Sequence, residues 1–212
     1  MRFDRKMLTL YAITDRKWVG KYTLEEQAEQ ALKGGITVLQ LREKNMSEDS
    51  FLKEAVNIKK VCEKYNVPLI INDNVDIAFR SGADGVHVGI EDMAVSEIRK
   101  KAPEGFIIGA TAKTVEQART AFEQGADYLG VGAVFPSPTK TNAIRITNEQ
   151  LNEICKSVPI PCVAIGGITI DNADELSGAA IDGIAVVSAV FGAEDIEKAS
   201  RALRQKAEKI IE

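Results

Sequence analysis

A short phrase recurs along this chain: Gly82-Ala83-Asp84-Gly85, Gly125-Ala126-Asp127-Tyr128 and Gly178-Ala179-Ala180-Ile181-Asp182-Gly183. Each follows an amphipathic stretch and precedes a short apolar run. Glycine closes a helix in a left-handed turn, and an acid then precedes the next strand. A fourth closure, Gly34-Gly35, ends an earlier helix in the same way. An internal repeat of strand–helix units with short connections follows, and such units form parallel sheets.

Eight apolar runs read as strands: Leu8–Thr14, Thr37–Arg42, Pro68–Asp73, Gly85–Gly89, Phe106–Ala112, Tyr128–Phe135, Pro161–Gly167 and Gly183–Val190. They are rich in β-branched residues and nearly continuous in apolar character, as strands covered on both faces are. Helical spacing predicts Leu24–Lys33, Glu48–Tyr65, Val75–Arg80, Val115–Gln124 and Glu194–Ile211, with further helices from near Asp92, near Thr147 and over Asp171–Leu176. An open doubly wound sheet and a closed barrel both suit alternating units. Eight units without an obvious edge favour a single-domain (β/α)8 barrel over residues 1–212, and 212 residues allow little else.

In such a barrel, polar residues at strand C-termini mark the site. The second strand ends Gln40-Leu41-Arg42-Glu43-Lys44. Alternation places Gln40, Arg42 and Lys44 on one face, where two cations and an amide suit a multiply charged anion. An internal ion pair of Arg42 with Glu43 or a neighbouring acid is the competing reading. The third strand ends at Asn72-Asp73, and the fourth is followed by Glu91-Asp92. Asp73 and Asp92 either converge on a cation such as Mg2+ or cap the helices that follow; spacing alone does not decide. After the sixth strand comes Ser137-Pro138-Thr139-Lys140, a hydroxyl-rich loop with one lysine. Gly166-Gly167 closes the seventh strand, and Val187-Ser188 lies in the eighth run, where barrels of this kind commonly bind phosphate. The sole histidine, His87, lies inside a strand and reads as structural; Trp18, after the first strand, lines the mouth or packs.

Composition narrows the partners. Lysine and arginine number 27 against 31 acids, a formal charge of −4, which does not suit a nucleic-acid binder but leaves a local cation cluster free to act. Cys62, Cys155 and Cys162 show no C-x-x-C spacing and read as reduced thiols of a cytoplasmic protein. Neither a signal peptide nor a membrane-spanning run is expected. A homo-oligomer is left open.

Taken together and in order, Gln40 to Lys44, Asn72-Asp73, His87-Val88-Gly89 with Glu91-Asp92, Phe135 to Lys140, Ile165 to Ile168 and Val187-Ser188 resemble the thiamine-phosphate synthase family over nearly the whole chain. The resemblance implies a cytoplasmic transferase of thiamine biosynthesis. It would join a hydroxymethylpyrimidine diphosphate to a thiazole phosphate, releasing pyrophosphate by a dissociative route. It implies that Gln40, Leu41, Arg42, Glu43, Lys44, Asn72, Thr111 and Lys140 hold the pyrimidine diphosphate. Arg42, Lys44, Thr111 and Lys140 would be catalytic. Asp73 and Asp92 would bind one Mg2+ per subunit. Ser137, Pro138, Thr139, Gly167, Val187 and Ser188 would hold the thiazole phosphate. Three positions depart from the family: Thr111 stands where serine is usual, Ile90 where glutamine is common and Ala133 where proline is common. A related tautomerase branch carries a histidine at the Ala133 strand and a degraded Thr-Lys loop, unlike Thr139-Lys140 here. A non-catalytic binder of thiamine phosphates would need no metal and diphosphate clamp together. The loops 15–22 and 136–144 are the expected lids.

Overall fold

A computed structural model describes residues 3–136 and 145–212. Eight parallel strands close into a barrel in sequence order: β1 (Leu10–Ile13), β2 (Val38–Leu41), β3 (Leu69–Asn72), β4 (Gly85–Val88), β5 (Ile107–Ala112), β6 (Tyr128–Gly132), β7 (Cys162–Ile165) and β8 (Gly183–Val186), with β8 pairing back onto β1. The helices are α1 (Leu24–Lys33), α2 (Glu48–Glu63), α3 (Val75–Arg80), α4 (Val95–Lys101), α5 (Val115–Glu123), α6 (Asn148–Lys156), α7 (Ser188–Phe191) and α8 (Ile196–Ile211). Among the described residues, no helix is long and apolar enough to cross a membrane. All three cysteines are buried free thiols.

Strand alternation divides the core in two. Leu10, Ala12, Leu39, Leu41, Ile71 and Val86 face outward and pack with the helices. Tyr11, Ile13, Val38, Ile70, Ile107, Tyr128 and Val163 face inward and form a separate cluster that contains no α-helix residue and is joined by Leu8 from the N-terminal 3-10 turn.

The recurrent acids have a structural task at the N-terminal face. Asp84 donates its N–H to the Leu69 carbonyl (2.9 Å), while its Oδ2 accepts from Leu69 N–H (2.8 Å). Asp127 makes the same reciprocal pair with Ile108, and Asp182 with Cys162. Thr37 does the same with Leu10, its hydroxyl oxygen standing for the carboxylate (2.9 Å). Each acid also holds a cation: Lys59 on Asp84, Arg99 on Asp127 and Arg5 on Asp182. The first N–H of β1, β3 and β7, and the second of β5, is thereby satisfied by the residue that leads into the next strand.

Three expected elements differ. The eighth apolar run is not one strand: β8 ends at Val186 and Ser188 begins α7. A continuous apolar run cannot separate a buried strand from the buried helix that follows it. Asp171–Leu176 forms only a 3-10 turn at Ala173–Leu176. The fourth helix starts at Val95, not near Asp92, with Ala94 at its cap and no side-chain cap bond.

Candidate active site

Strand C-termini bring the polar residues singled out in the sequence to one end of the barrel. Asn72 ends β3, and Asp73 follows with φ +62°, a left-handed conformation that costs a non-glycine residue energy and that Asp tolerates better than most. Asp73 is anchored there by its N–H, which donates to the His87 carbonyl on β4 (2.8 Å). It is not a helix cap: Asn74 takes that place in α3, its Oδ1 accepting from Ile77 N–H (2.9 Å). Asp92 does not cap α4 either. Its Oδ2 accepts from Gly89 N–H (2.7 Å), which turns the loop after β4 back towards β3. The capping alternative for both acids is therefore excluded.

The two carboxylates interact with each other and with Lys44, whose ammonium donates to Asp73 Oδ2 at 2.7 Å. Burial works to raise the Asp73 carboxyl, but the Lys44 ammonium, together with hydrogen bonds from Asp92 and Asn72, holds the group below its ordinary value. Asp92 is raised, by burial first and then by the neighbouring Asp73 charge, against the opposing Gly89 N–H. Two adjoining carboxylates, one of them paired with Lys44, and no third His, Cys, Asp or Glu joining them among the described residues, form an oxygen donor set that fits Mg2+ completed by substrate phosphates.

The β2 end separates into roles. Leu41 is fully buried in the outer core, so its side chain packs under the helices and only its backbone is near the mouth. Glu43 has a side chain only 3% exposed and receives Arg16 through both carboxylate oxygens (2.8 to 3.2 Å); Arg16 also reaches Glu54. Glu43 therefore braces the loop after β1. The same loop is held by Gln27, which donates to the Trp18 carbonyl (2.8 Å), and Trp18 packs against the outer core. Arg42 keeps a longer contact with Asp15 (3.6 Å) and stays partly exposed, and Lys44 is about half exposed. Both cations retain reach towards a ligand.

Inside the barrel, beneath the mouth, lies a chain of polar contacts that the sequence did not announce. Gln40 Nε2 donates to Tyr11 Oη (2.7 Å), Tyr11 Oη meets Tyr128 Oη (2.8 Å), Tyr128 Oη meets His87 Nδ1 (3.1 Å), and His87 Nε2 meets Thr111 Oγ1 (3.1 Å). Burial pushes both tyrosines above their usual range, so both are protonated. Burial pushes the His87 imidazole down to about 4, against a small opposing pull from Asp73, so it is neutral near pH 7. Inward glycines make the room. A Cβ at Gly109 would lie 2.1 Å from the Tyr128 ring, and one at Gly130 would lie 3.0 Å from His87. Inward glycines facing inward tyrosines were the available sequence signal.

On the opposite side, Gly167 has φ +65°, and a Cβ there would lie 2.1 Å from the Pro136 carbonyl oxygen. A Cβ at Gly166 would overlap that of Ala133 (2.5 Å). The double glycine is thus required by the close approach of the β6 and β7 loops. Val187 and Ser188 stand where β8 passes into α7, beside that loop in the strand order. Ser137, Pro138, Thr139 and Lys140 lie outside the described residues.

Comparison with known proteins agrees over the whole fold. A family model described as thiamine monophosphate synthase matches residues 10–190. The thiamine-phosphate synthase of Ruminiclostridium cellulolyticum is 48% identical over 195 residues, covering 92% of this chain and 93% of that one. That of Clostridium botulinum is 44% identical over 202 residues, 95% of each chain. Among solved structures, the thiamine phosphate pyrophosphorylase of Pyrococcus furiosus superposes with a TM-score of 0.90 at 41% identity, covering 98% of this chain and 99% of that one.

Proposed function

The chain belongs to the thiamine monophosphate synthase family and is a transferase that makes thiamine phosphate; from that premise we propose how its own residues carry the reaction. The substrates are 4-amino-2-methyl-5-hydroxymethylpyrimidine diphosphate and 4-methyl-5-(2-phosphoethyl)thiazole. The bond from the pyrimidine methylene to the diphosphate oxygen breaks first, and both electrons leave with pyrophosphate. The electron-rich pyrimidine carries the resulting cation until the thiazole nitrogen donates its lone pair to the methylene carbon. No base is needed, so the site's task is positioning and charge stabilisation.

The observation that carries this reading is the meeting of Asp73, Asp92 and Lys44 at the ends of β3, β4 and β2, with neither acid serving as a helix cap. Mg2+ held by Asp73 and Asp92 would neutralise charge on the leaving diphosphate. Arg42, Lys44 and Lys140 add positive charge around the same oxygens, and Gln40, Asn72 and Thr111 orient the pyrimidine. The backbone of Leu41 contributes contact surface, and Glu43 acts through the loop it holds. Ser137, Pro138, Thr139, Gly167, Val187 and Ser188 receive the thiazole phosphate. The enzyme works in the cytoplasm.

The test is direct. Purified protein with both substrates and Mg2+ is expected to release pyrophosphate and thiamine phosphate in equal amounts, and chelation is expected to stop both. A folded protein that forms neither product would overturn the reading. The dissociative order is checked with 18O in the bridging position of the diphosphate: reversible bond cleavage moves the label into non-bridging positions, whereas a concerted displacement leaves it in place.

A further inference from the structure

The polar chain inside the barrel has a direction, and that direction ends at the reaction site. Gln40 donates an amide N–H to the Tyr11 oxygen. A phenol has one proton to give, so Tyr11, accepting from Gln40, passes its own to Tyr128 at 2.8 Å. Were the Tyr11–Tyr128 bond reversed, the Tyr11 proton would face the Gln40 amide donor. With its oxygen accepting from Tyr11, Tyr128 has its own proton left for His87 Nδ1 at 3.1 Å. A neutral imidazole that accepts at Nδ1 carries its hydrogen on Nε2 and donates it to Thr111 Oγ1 at 3.1 Å. Thr111 accepts that bond and has its own O–H left. Thr111 faces inward near the C-terminal end of β5 and is partly exposed there.

We infer that His87 is a positioning residue, held by Tyr128 as the Nε2–H tautomer so that the Thr111 hydroxyl is presented to the barrel mouth as a donor. The inference rests on the reading that Thr111 meets the pyrimidine diphosphate, to which it would donate at an acceptor atom. It also accounts for the glycines at 109 and 130, which leave space for the Tyr128 and His87 rings that build the relay.

His87 is the only histidine in the chain, so its ring nitrogens give one unambiguous set of signals. In ligand-free, 15N-histidine-labelled protein near pH 7, long-range 1H–15N correlation is expected to show a protonated Nε2 and an unprotonated Nδ1. Tyr128→Phe removes the proton that fixes the tautomer. Both 15N signals should then move towards an averaged population, and kcat should fall about fivefold with KM for the pyrimidine diphosphate changed by less than about twofold. His87→Gln, whose amide can still donate to Thr111, is expected to keep at least about half of kcat, while His87→Leu falls with Tyr128→Phe. A wild-type ring protonated on Nδ1 would overturn the inference. So would a folded Tyr128→Phe with unchanged signals and unchanged kcat. The tautomer is read without substrate, so a failure of the proposed reaction is seen separately, in the product assay on the wild-type protein.

Discussion

Asp92 accepts one backbone hydrogen bond, from Gly89, and shares its remaining surroundings with Asp73 and Lys44. Replacing it with alanine removes the carboxylate proposed above to hold Mg2+ but no helix cap, so the barrel should stay folded. For Asp92→Ala we expect Mg2+-dependent turnover to drop by on the order of tenfold or more, with the melting temperature moving by no more than a few degrees. Titrating Mg2+ against initial rate checks it: wild-type Mg2+ dependence would show that Asp92 is not a ligand. Thr111 offers a second test at this scale. Thr111→Ala deletes the hydroxyl at the end of the His87 chain, and we expect slower chemistry with little change in thiazole affinity. Thr111→Ser restores the hydroxyl and should restore most of kcat; wild-type single-turnover rates in the alanine variant would remove its role. That Arg42, Lys44, Asp73 and Asp92 gather at one end of the barrel was legible in the sequence because charge at a strand C-terminus has few structural uses. The split within Gln40 to Lys44 was not fully legible. Alternation correctly sends Leu41 outward, but only tertiary contact with Arg16 reveals that Glu43 is a brace. The tyrosines escaped notice because an inward aromatic in a strand reads as core, and its hydroxyl partner lies across the barrel.

At the scale of elements, the glycine–acid phrase is the most informative part of the chain. It announced the ends of α1, α3 and α5 correctly, and Gly178 closes a 3-10 turn instead: Gly35, Gly82, Gly125 and Gly178 all have positive φ, from +70° to +94°. The acid's use, reaching back to the N–H of the preceding strand, depends on the parallel register of the finished sheet and cannot be read from one segment. Asp127 shows the consequence. Its carboxylate receives Ile108 N–H (2.7 Å) and Arg99 (2.7 Å). Asp127→Ala would leave that N–H without its acceptor and remove the carboxylate from Arg99, which keeps the Gly125 and Phe106 carbonyls, at a cost of about 1–3 kcal/mol. Urea unfolding should show the loss in midpoint with an unchanged slope; a loss under about 0.5 kcal/mol would mean that water replaces the carboxylate. Elsewhere, strongly periodic helices such as Leu24–Lys33 were predicted to the residue, with Thr23 and Glu26 forming a capping box. The failures lie where periodicity carries no information: the apolar run that passes from β8 into α7, and the 3-10 turn that replaces a seventh full helix.

Across the whole molecule, the reciprocal clamps fall on alternate seams: Thr37 joins β1 to β2, Asp84 joins β3 to β4, Asp127 joins β5 to β6, and Asp182 joins β7 to β8. In a closed eight-stranded barrel the side chains at one level come from alternate strands, so a device set by side-chain direction recurs at every second seam. The barrel is in this sense four similar quarters, each tied within itself at the N-terminal face, while the site is assembled at the other face from residues of several quarters. Such quarters do not stand alone, because the inward cluster of Tyr11, Val38, Ile70, Ile107, Tyr128 and Val163 draws on all of them. Two clamps on different seams share no contacting group, so their losses should add while the chain still unfolds as one unit. We therefore expect Asp84→Ala combined with Asp182→Ala to lower stability by the sum of the single losses, to within about 0.5 kcal/mol, in one transition whether followed by tyrosine fluorescence or by far-ultraviolet circular dichroism. Two separated transitions would show instead that the quarters on either side of the barrel unfold independently, and that closure of β8 onto β1 contributes less to cooperativity than the shared interior requires.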